Sequence, residues 1–387
     1  MRISLLTKVL VLCAFVLPSA ARALELTARA AYVLDHGSGT VLLSRNAETP
    51  LPPASMSKLM TLYMAFEALG DGRLSLDMRL PVSQHAMSYG GSTMFLDTTD
   101  RVRVEDLLRG IIVLSGNDAC AVLAEALSPD GTEAGFARLM TEKAKLMGMN
   151  NSTFTNSNGW PQAGHRMSMK DLAILTDHIL SDYPQFYPLF SEREFLFDGR
   201  APANSRNRNP LLGLGIGADG LKTGHTEEAG YGLVGSAVQG DRRVIFVLSG
   251  MSSAAERASE AEKVVNWAFR QFIERKIADE GDVLAQAPVW MGASQTVGLV
   301  PTEDVTVLLP HPLPDQLIAY VEFDGPIEAP IAKGQPIAEL IVPRNGLEDA
   351  RFPLVAERGV GTAGFLPRLK MSAQVLLRNL NQGSNAP

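Results

Sequence analysis

The chain has 387 residues and a formal net charge of −7, with 42 Asp and Glu against 35 Lys and Arg. An acidic balance argues against nucleic-acid binding, which relies on basic surface. Apolar residues make up 46% of the chain, enough for a sizeable core, and the length suggests two domains.

Residues 1–23 read as a secretory signal. Arg2 and Lys8 flank its start, residues 9–17 are apolar, and Ala21-Arg22-Ala23 is a small-x-small cleavage site. The apolar run is too short to span a bilayer. Cleavage after Ala23 removes Arg2, Lys8 and Arg22 and no acid, which takes the formal charge to −10. Cys13 leaves with the signal, and the Leu12 before it does not suit a lipoprotein cysteine. Cys120 then stands alone, so no intramolecular disulfide forms. Its place in an Ala/Leu run marks it as a small buried apolar residue.

Ser55-Met56-Ser57-Lys58 follows Pro52-Pro53-Ala54 and opens a helix. Met56, Leu59, Met60, Tyr63 and Phe66 repeat with helical period, so the helix belongs in the core. Residues three apart share a face, which lets Lys58 Nζ reach Ser55 Oγ. A serine hydroxyl is a poor nucleophile until a base takes its proton. A lysine serves once burial or nearby cations lower its pKa.

Apolar residues 107–114 lead into Ser115-Gly116-Asn117 and then a helical run over 118–127. A second Ser-x-Asn, Ser205-Arg206-Asn207, lies in a polar segment, whereas Ser115 ends a buried helix that can hold it rigidly. Ser168-x-x-Asp171 is a capping pattern ahead of a helix over 172–180. Lys222-Thr223-Gly224 follows Asp219-Gly220 and precedes His225-Thr226 and a strand-like run over 231–238. Residues 254–272 place Ala261, Val264, Val265, Ala268, Phe269 and Phe272 on one helical face.

Past Arg275 the texture changes to short apolar runs broken by Pro and Gly, at 288–291, 305–309, 317–321 and 337–342. That pattern predicts a small all-β domain, with the boundary near residues 275–281. The six histidines show no metal-ligand spacing; neither a metal nor a cofactor is expected. At the end of the chain Pro367 suits a first helical turn. Leu366, Leu369, Ala373, Leu376, Leu377 and Leu380 then share a face, with Arg368, Lys370 and Arg378 as cations.

A Ser-x-x-Lys, a Ser-x-Asn and a Lys-Thr-Gly in that order resemble the signature of class A β-lactamases and penicillin-binding proteins. The chain looks like the low-molecular-mass D-alanyl-D-alanine carboxypeptidases. Asp35-x-x-Ser38-Gly39, Pro53-Ala54-Ser55, residues 91–96 (GSTMFL), 115–119 (SGNDA) and 222–231 (KTGHTEEAGY) all read like that family. The resemblance implies an α/β plus all-β fold, in which a penicillin-binding/β-lactamase-like transpeptidase domain, with a central antiparallel sheet and helices, precedes a small β-rich domain. It implies a signal at 1–23, a D,D-peptidase domain at 24–275, a β-rich domain at 276–364 and an amphipathic tail at 365–387.

By the same resemblance Ser55 is the nucleophile and Lys58 its base. Ser115 relays a proton to the leaving amine, and Asn117 binds the substrate backbone. Backbone N–H groups of Ser55 and His225 stabilise the oxyanion. Lys222 and Thr223 hold the substrate carboxylate, Gly224 lets the strand edge approach a ligand, and Arg257 and Arg208 add cations. Expected partners are peptidoglycan stem peptides ending in D-Ala-D-Ala, β-lactams as inhibitors and, through the tail, a membrane surface on the periplasmic side. In class A β-lactamases a Glu positions the deacylating water. Here the corresponding stretch reads Asn156-Ser157-Asn158-Gly159-Trp160-Pro161, without that acid and with Trp160 where the family usually has Leu, so a penicilloyl-enzyme should be long-lived. Rival readings are a D,D-endopeptidase, a β-lactamase and a non-catalytic wall-binding protein.

Overall fold

A computed structural model describes residues 24–365 except 201, 314 and 315. The signal at 1–23 and the tail after Phe365 lie outside the described residues.

Alternating apolar residues build a five-stranded antiparallel sheet. Its order is Thr40–Arg45, Ala30–Asp35, Arg242–Met251, Gly230–Gln239, Ala218–Thr226. A period of two sends neighbouring side chains to opposite faces. Ala31, Val33, Val244, Phe246 and Leu248 pack with Ala261, Val264, Val265 and Ala268 of the helix Ala254–Arg270. Ala30, Tyr32, Ile245 and Val247 point the other way, into a helical layer.

That layer is organised around the helix Lys58–Gly70, where Leu59, Met60, Leu62, Ala65 and Phe66 are fully buried. A helix apolar all round is an interior one. It packs against Asn117–Leu127, Glu133–Leu146 and Met169–Asp182. The last of these starts where Ser168 Oγ accepts from the Asp171 N–H at 3.1 Å, a cap worth about 1 kcal/mol. The helix near the domain boundary stops at Arg270 rather than 272. Phe272 instead opens a strand and meets Trp267 edge-on, with ring centroids 4.9 Å apart.

Among the described residues from Phe272 to Thr362 the regular structure is β. Phe272–Ala278 pairs with Val305–Pro310. A six-stranded sheet runs Tyr320–Glu322, Pro336–Val342, Ala350–Ala356, Thr296–Pro301, Ala285–Trp290, Ile327–Glu328. Val297, Leu299, Val307, Leu309, Val342 and Leu354 share its core. The apolar run at 317–321 becomes strand only from Tyr320. Ala350–Ala356 was hidden by Arg351 and Pro353, yet it pairs on both sides, with Pro336–Val342 and Thr296–Pro301. The expected α/β plus all-β architecture is what the chain adopts. Arg344 joins the two parts, donating to Thr40 Oγ1 and to the Leu308 carbonyl, each at 3.1 Å.

Candidate active site

Ser55 sits on a short 3-10 turn, Ala54–Ser57, that runs directly into the Lys58 helix. Ala54 is held at φ 49°, a left-handed conformation that a non-glycine residue adopts only where its surroundings enforce it. Lys58 is completely buried. Its Nζ lies 3.0 Å from Ser55 Oγ, 2.7 Å from Asn117 Oδ1 and 2.6 Å from the Asn158 carbonyl. Burial pushes Lys58 down to about 8, Arg208 adds to the shift, and Cys120, Asp118 and Glu133 oppose it. A neutral amine keeps two donors for Asn117 and Asn158 and turns its lone pair toward the serine hydroxyl. The contact set therefore suits a base.

Ser115 ends the helical turn Gly110–Leu114 at φ 64°. Its Oγ accepts from Lys222 Nζ at 2.9 Å. Lys222 is also buried; desolvation first, then the charges of Lys58 and Arg208, holds it well below its ordinary pKa. Arg208 donates to Ser92 Oγ at 2.7 Å and to the Leu114 carbonyl at 3.1 Å. Arg257 is buried over the Tyr231 ring, with one Nη donating to the Arg208 carbonyl at 3.4 Å and its Nε unpartnered. Among the described residues none of these four cations is paired with a carboxylate. They converge on one small region, with Lys58, Lys222 and Arg257 buried and Arg208 exposed at its edge, and buried charge of one sign is costly unless an anion meets it.

Thr223 is buried next to Lys222, while His225 is exposed and stacks on Tyr231 at 3.9 Å. Gly224 lies against the turn that carries Ser55. A Cβ there would lie 3.0 Å from the Pro53 carbonyl and 3.2 Å from Ala54 Cβ. The glycine thus lets the strand approach the turn that carries Ser55. The competing Ser205-Arg206-Asn207 is used in a hairpin, with the Ser205 carbonyl accepting from Phe195 N–H and Asn207 N–H donating to Arg193.

A family model described as D-alanyl-D-alanine carboxypeptidase matches residues 17–253, and one described as penicillin-binding protein 5, C-terminal domain, matches 272–362. The chain belongs to the D-alanyl-D-alanine carboxypeptidase family. D-alanyl-D-alanine carboxypeptidase DacC of Escherichia coli (strain K12) is 34% identical over 365 residues, covering 92% of this chain and 90% of that protein. DacF of Bacillus subtilis (strain 168) is 32% identical over 350 residues, 89% of this chain and 88% of its own. Penicillin-binding protein 5 from Haemophilus influenzae has a TM-score of 0.76 at 33% identity, over 88% of this chain and 99% of that one. Penicillin-binding protein D2 from Listeria monocytogenes, in its ampicillin-bound form, has a TM-score of 0.58 at 33% identity, over 64% of this chain and 100% of that one.

Within this carboxypeptidase framework the sequence reading missed the groups that support Lys58. Asn156 Oδ1 accepts from the N–H groups of Gly159 at 2.8 Å and Trp160 at 3.2 Å, which folds the loop so that the Asn158 carbonyl meets the lysine. His165 is driven by burial to about 4 and stays neutral. Its Nδ1 accepts from Thr155 N–H at 3.2 Å, so Nε2–H donates to Ser57 Oγ at 2.9 Å and steadies the turn that carries Ser55. Glu133, remote in sequence, lies behind the same loop. Its carboxylate receives donors from Ser157, Asn158, Tyr89 and His85. With both oxygens so occupied, and the Asn158 backbone between it and Lys58, Glu133 is not placed to orient a water as the β-lactamase Glu does.

Proposed function

We propose that the protein is an exported serine-type D,D-carboxypeptidase that removes the terminal D-alanine from peptidoglycan stem peptides through an acyl-enzyme on Ser55. The observation that carries this is the buried Lys58 amine against Ser55 Oγ, beside cations that have no acid of their own among the described residues. Ser55 Oγ attacks the carbonyl of the penultimate D-alanine as its proton passes to Lys58 Nζ. Backbone N–H groups of Ser55 and His225 meet the oxyanion. The C–N bond breaks, and the proton held by Lys58 reaches the leaving amine by way of Ser115 Oγ. Lys222, Thr223, Arg208 and Arg257 receive the terminal carboxylate, and Asn117 binds the acyl-side backbone. Lys58 Nζ, neutral again, then takes a proton from a water that attacks the ester carbonyl; the C–O bond to Ser55 breaks and Oγ regains that proton, releasing the shortened peptide.

The peptidase domain spans 24–275 and the β-rich domain 276–364 in this reading. The enzyme acts in the periplasm once residues 1–23 are removed. The tail adds a peripheral anchor on the membrane, where each cation near an anionic surface contributes about 1 kcal/mol. Among the described residues no helix is long and apolar enough to cross a membrane. Flotation with anionic vesicles should carry the mature chain upward and leave a chain ending at Gly364 behind; two soluble proteins at low salt would refute the anchor. Penicillin should acylate Ser55 and stay, since neither the Asn156–Pro161 stretch nor Glu133 offers a deacylating base. The deciding experiment is D-alanine release from a diacyl-Lys-D-Ala-D-Ala peptide, with peptide mapping of a labelled penicillin adduct. An adduct away from Ser55, or one retained in Ser55→Ala, overturns the assignment.

A further inference from the structure

We propose that Glu133 is a positioning residue for Lys58, because this single buried carboxylate holds two of the three groups around the lysine Nζ, the acceptors from Asn117 and Asn158, by two separate routes. The proposal rests on the reading of Lys58 as the base. Glu133 is the first residue of the helix Glu133–Leu146 and is 6% exposed. A carboxylate at a helix N-terminus is favoured by the helix dipole, and hydrogen-bond donors hold its pKa below the ordinary value despite burial. It is anionic at neutral pH.

The first route runs through the loop after residue 155. Glu133 Oε1 accepts from the Ser157 N–H at 2.9 Å, the Ser157 hydroxyl at 2.5 Å and Asn158 Nδ2 at 3.4 Å. The next carbonyl along, that of Asn158, is the 2.6 Å partner of Lys58. On the second route, Glu133 Oε2 accepts from Tyr89 OH at 2.6 Å and pairs with His85 Nε2 at 2.7 Å. Tyr89 adjoins Gly90, whose carbonyl accepts from Asn117 Nδ2 at 2.9 Å, and the Asn117 N–H donates to the Ser92 carbonyl at 2.7 Å. That fixes the amide plane of Asn117, and its Oδ1 is the 2.7 Å partner of Lys58. Only the third contact, Ser55 Oγ, is independent of Glu133. A ring of fixed acceptors keeps the amine lone pair aimed at the serine, and positioning to within an ångström is worth about a hundred-fold in rate.

Glu133 also acts on Lys58 as a charge. The groups facing Lys58 are the cations Arg208 and Lys222, the acid Asp118, the thiol of Cys120, neutral His165 and Glu133 itself. Removing the Glu133 anion destabilises the ammonium and moves Lys58 further down.

The test is the rate of Ser55 acylation by a labelled penicillin as a function of pH, with melting curves to confirm folding. Glu133→Ala is expected to slow acylation at its plateau by about a hundred-fold. Glu133→Gln, which still accepts from Ser157 N–H, should lose less and shift the acid limb to lower pH, a shift that a merely structural role would not produce. Should the alanine variant not fold, the Tyr89→Phe, Ser157→Ala double variant, which loosens both routes and keeps the charge, should lose about ten-fold with the limb unmoved. Folded Glu133→Gln with an unmoved acid limb and an unchanged plateau overturns the proposal. A wild-type enzyme that is not acylated on Ser55 overturns the reading of the site instead.

Discussion

Lys222 Nζ donates to Ser115 Oγ across 2.9 Å, joining the edge strand of the sheet to a residue 107 positions earlier. The contact gives the Ser115 hydroxyl a fixed donor and leaves its own hydrogen free to point toward a substrate amine. Ser115→Ala removes the proposed relay and leaves a buried lysine donor unmatched. We expect kcat for D-alanine release to fall by about 10²–10⁴-fold, with the fold retained. Unchanged turnover in Ser115→Ala would place the relay elsewhere.

Lys222 is expected to read charge rather than shape. Lys222→Gln should lower kcat/KM for peptides with a free terminal carboxylate far more than for a thioester lacking it. A hydrogen bond to a charged group is worth about 1.5–3 kcal/mol, roughly ten- to a hundred-fold. Equal losses on both substrates would assign Lys222 to Ser115 or to folding instead.

The depressed pKa of Lys58 sets two pH dependences. With Lys58 as the proposed base, activity needs the neutral amine, so kcat/KM should rise with pH through about 8. A profile flat from below pH 6 to above 9 would contradict Lys58 as base. Stability follows the same proton. Between about 8 and the ordinary lysine value of 10.5 the unfolded chain binds a proton that the folded chain does not. Stability from this group therefore climbs as pH rises across that window and is lost as pH falls through 8. Relative to Lys58→Met, which has no such proton, the wild type should gain about 3 kcal/mol between pH 7 and 10.5. A constant difference measured by denaturant titration would show that the shift is absent.

Much of this site was legible because local devices made it. Ser55 and Lys58 lie three apart on one turn, Ser115 and Asn117 straddle the start of a helix, and Lys222-Thr223-Gly224 lies on one strand. Each group keeps its spacing in sequence and in space. The supporting groups were not legible, because their link to the site runs through backbone atoms. Asn158 contributes a carbonyl, which every residue possesses, and Glu133 reaches the loop from a helix 24 residues away. The β-rich part was readable as a class, and its strand boundaries were not. Pro353 and Gly298 look like strand breakers, yet Pro353 pairs with Glu339 and Gly298 makes room for Glu357, whose Oε2 would lie 2.5 Å from an added Cβ.

Gly159 offers the most specific structural test. It sits at φ 82°, and a Cβ there would be 1.9 Å from the Ala54 carbonyl oxygen and 3.2 Å from Ser55 N. Gly159→Ala must therefore push the loop away from the Ser55 turn and carry the Asn158 carbonyl off Lys58. Gly164 is the control: it has φ 85° but its nearest atom, Thr155 Cγ2, would be 3.6 Å away. Both variants incur the left-handed backbone penalty of about 1–3 kcal/mol. Only Gly159→Ala adds a clash at the site, so at equal stability its acylation rate should fall by about a hundred-fold while Gly164→Ala stays near wild type. Penicillin acylation of the two variants, compared at a temperature where both are folded, measures the difference. Equal rates would mean that the loop's contact with the nucleophile's turn does not set the position of the base.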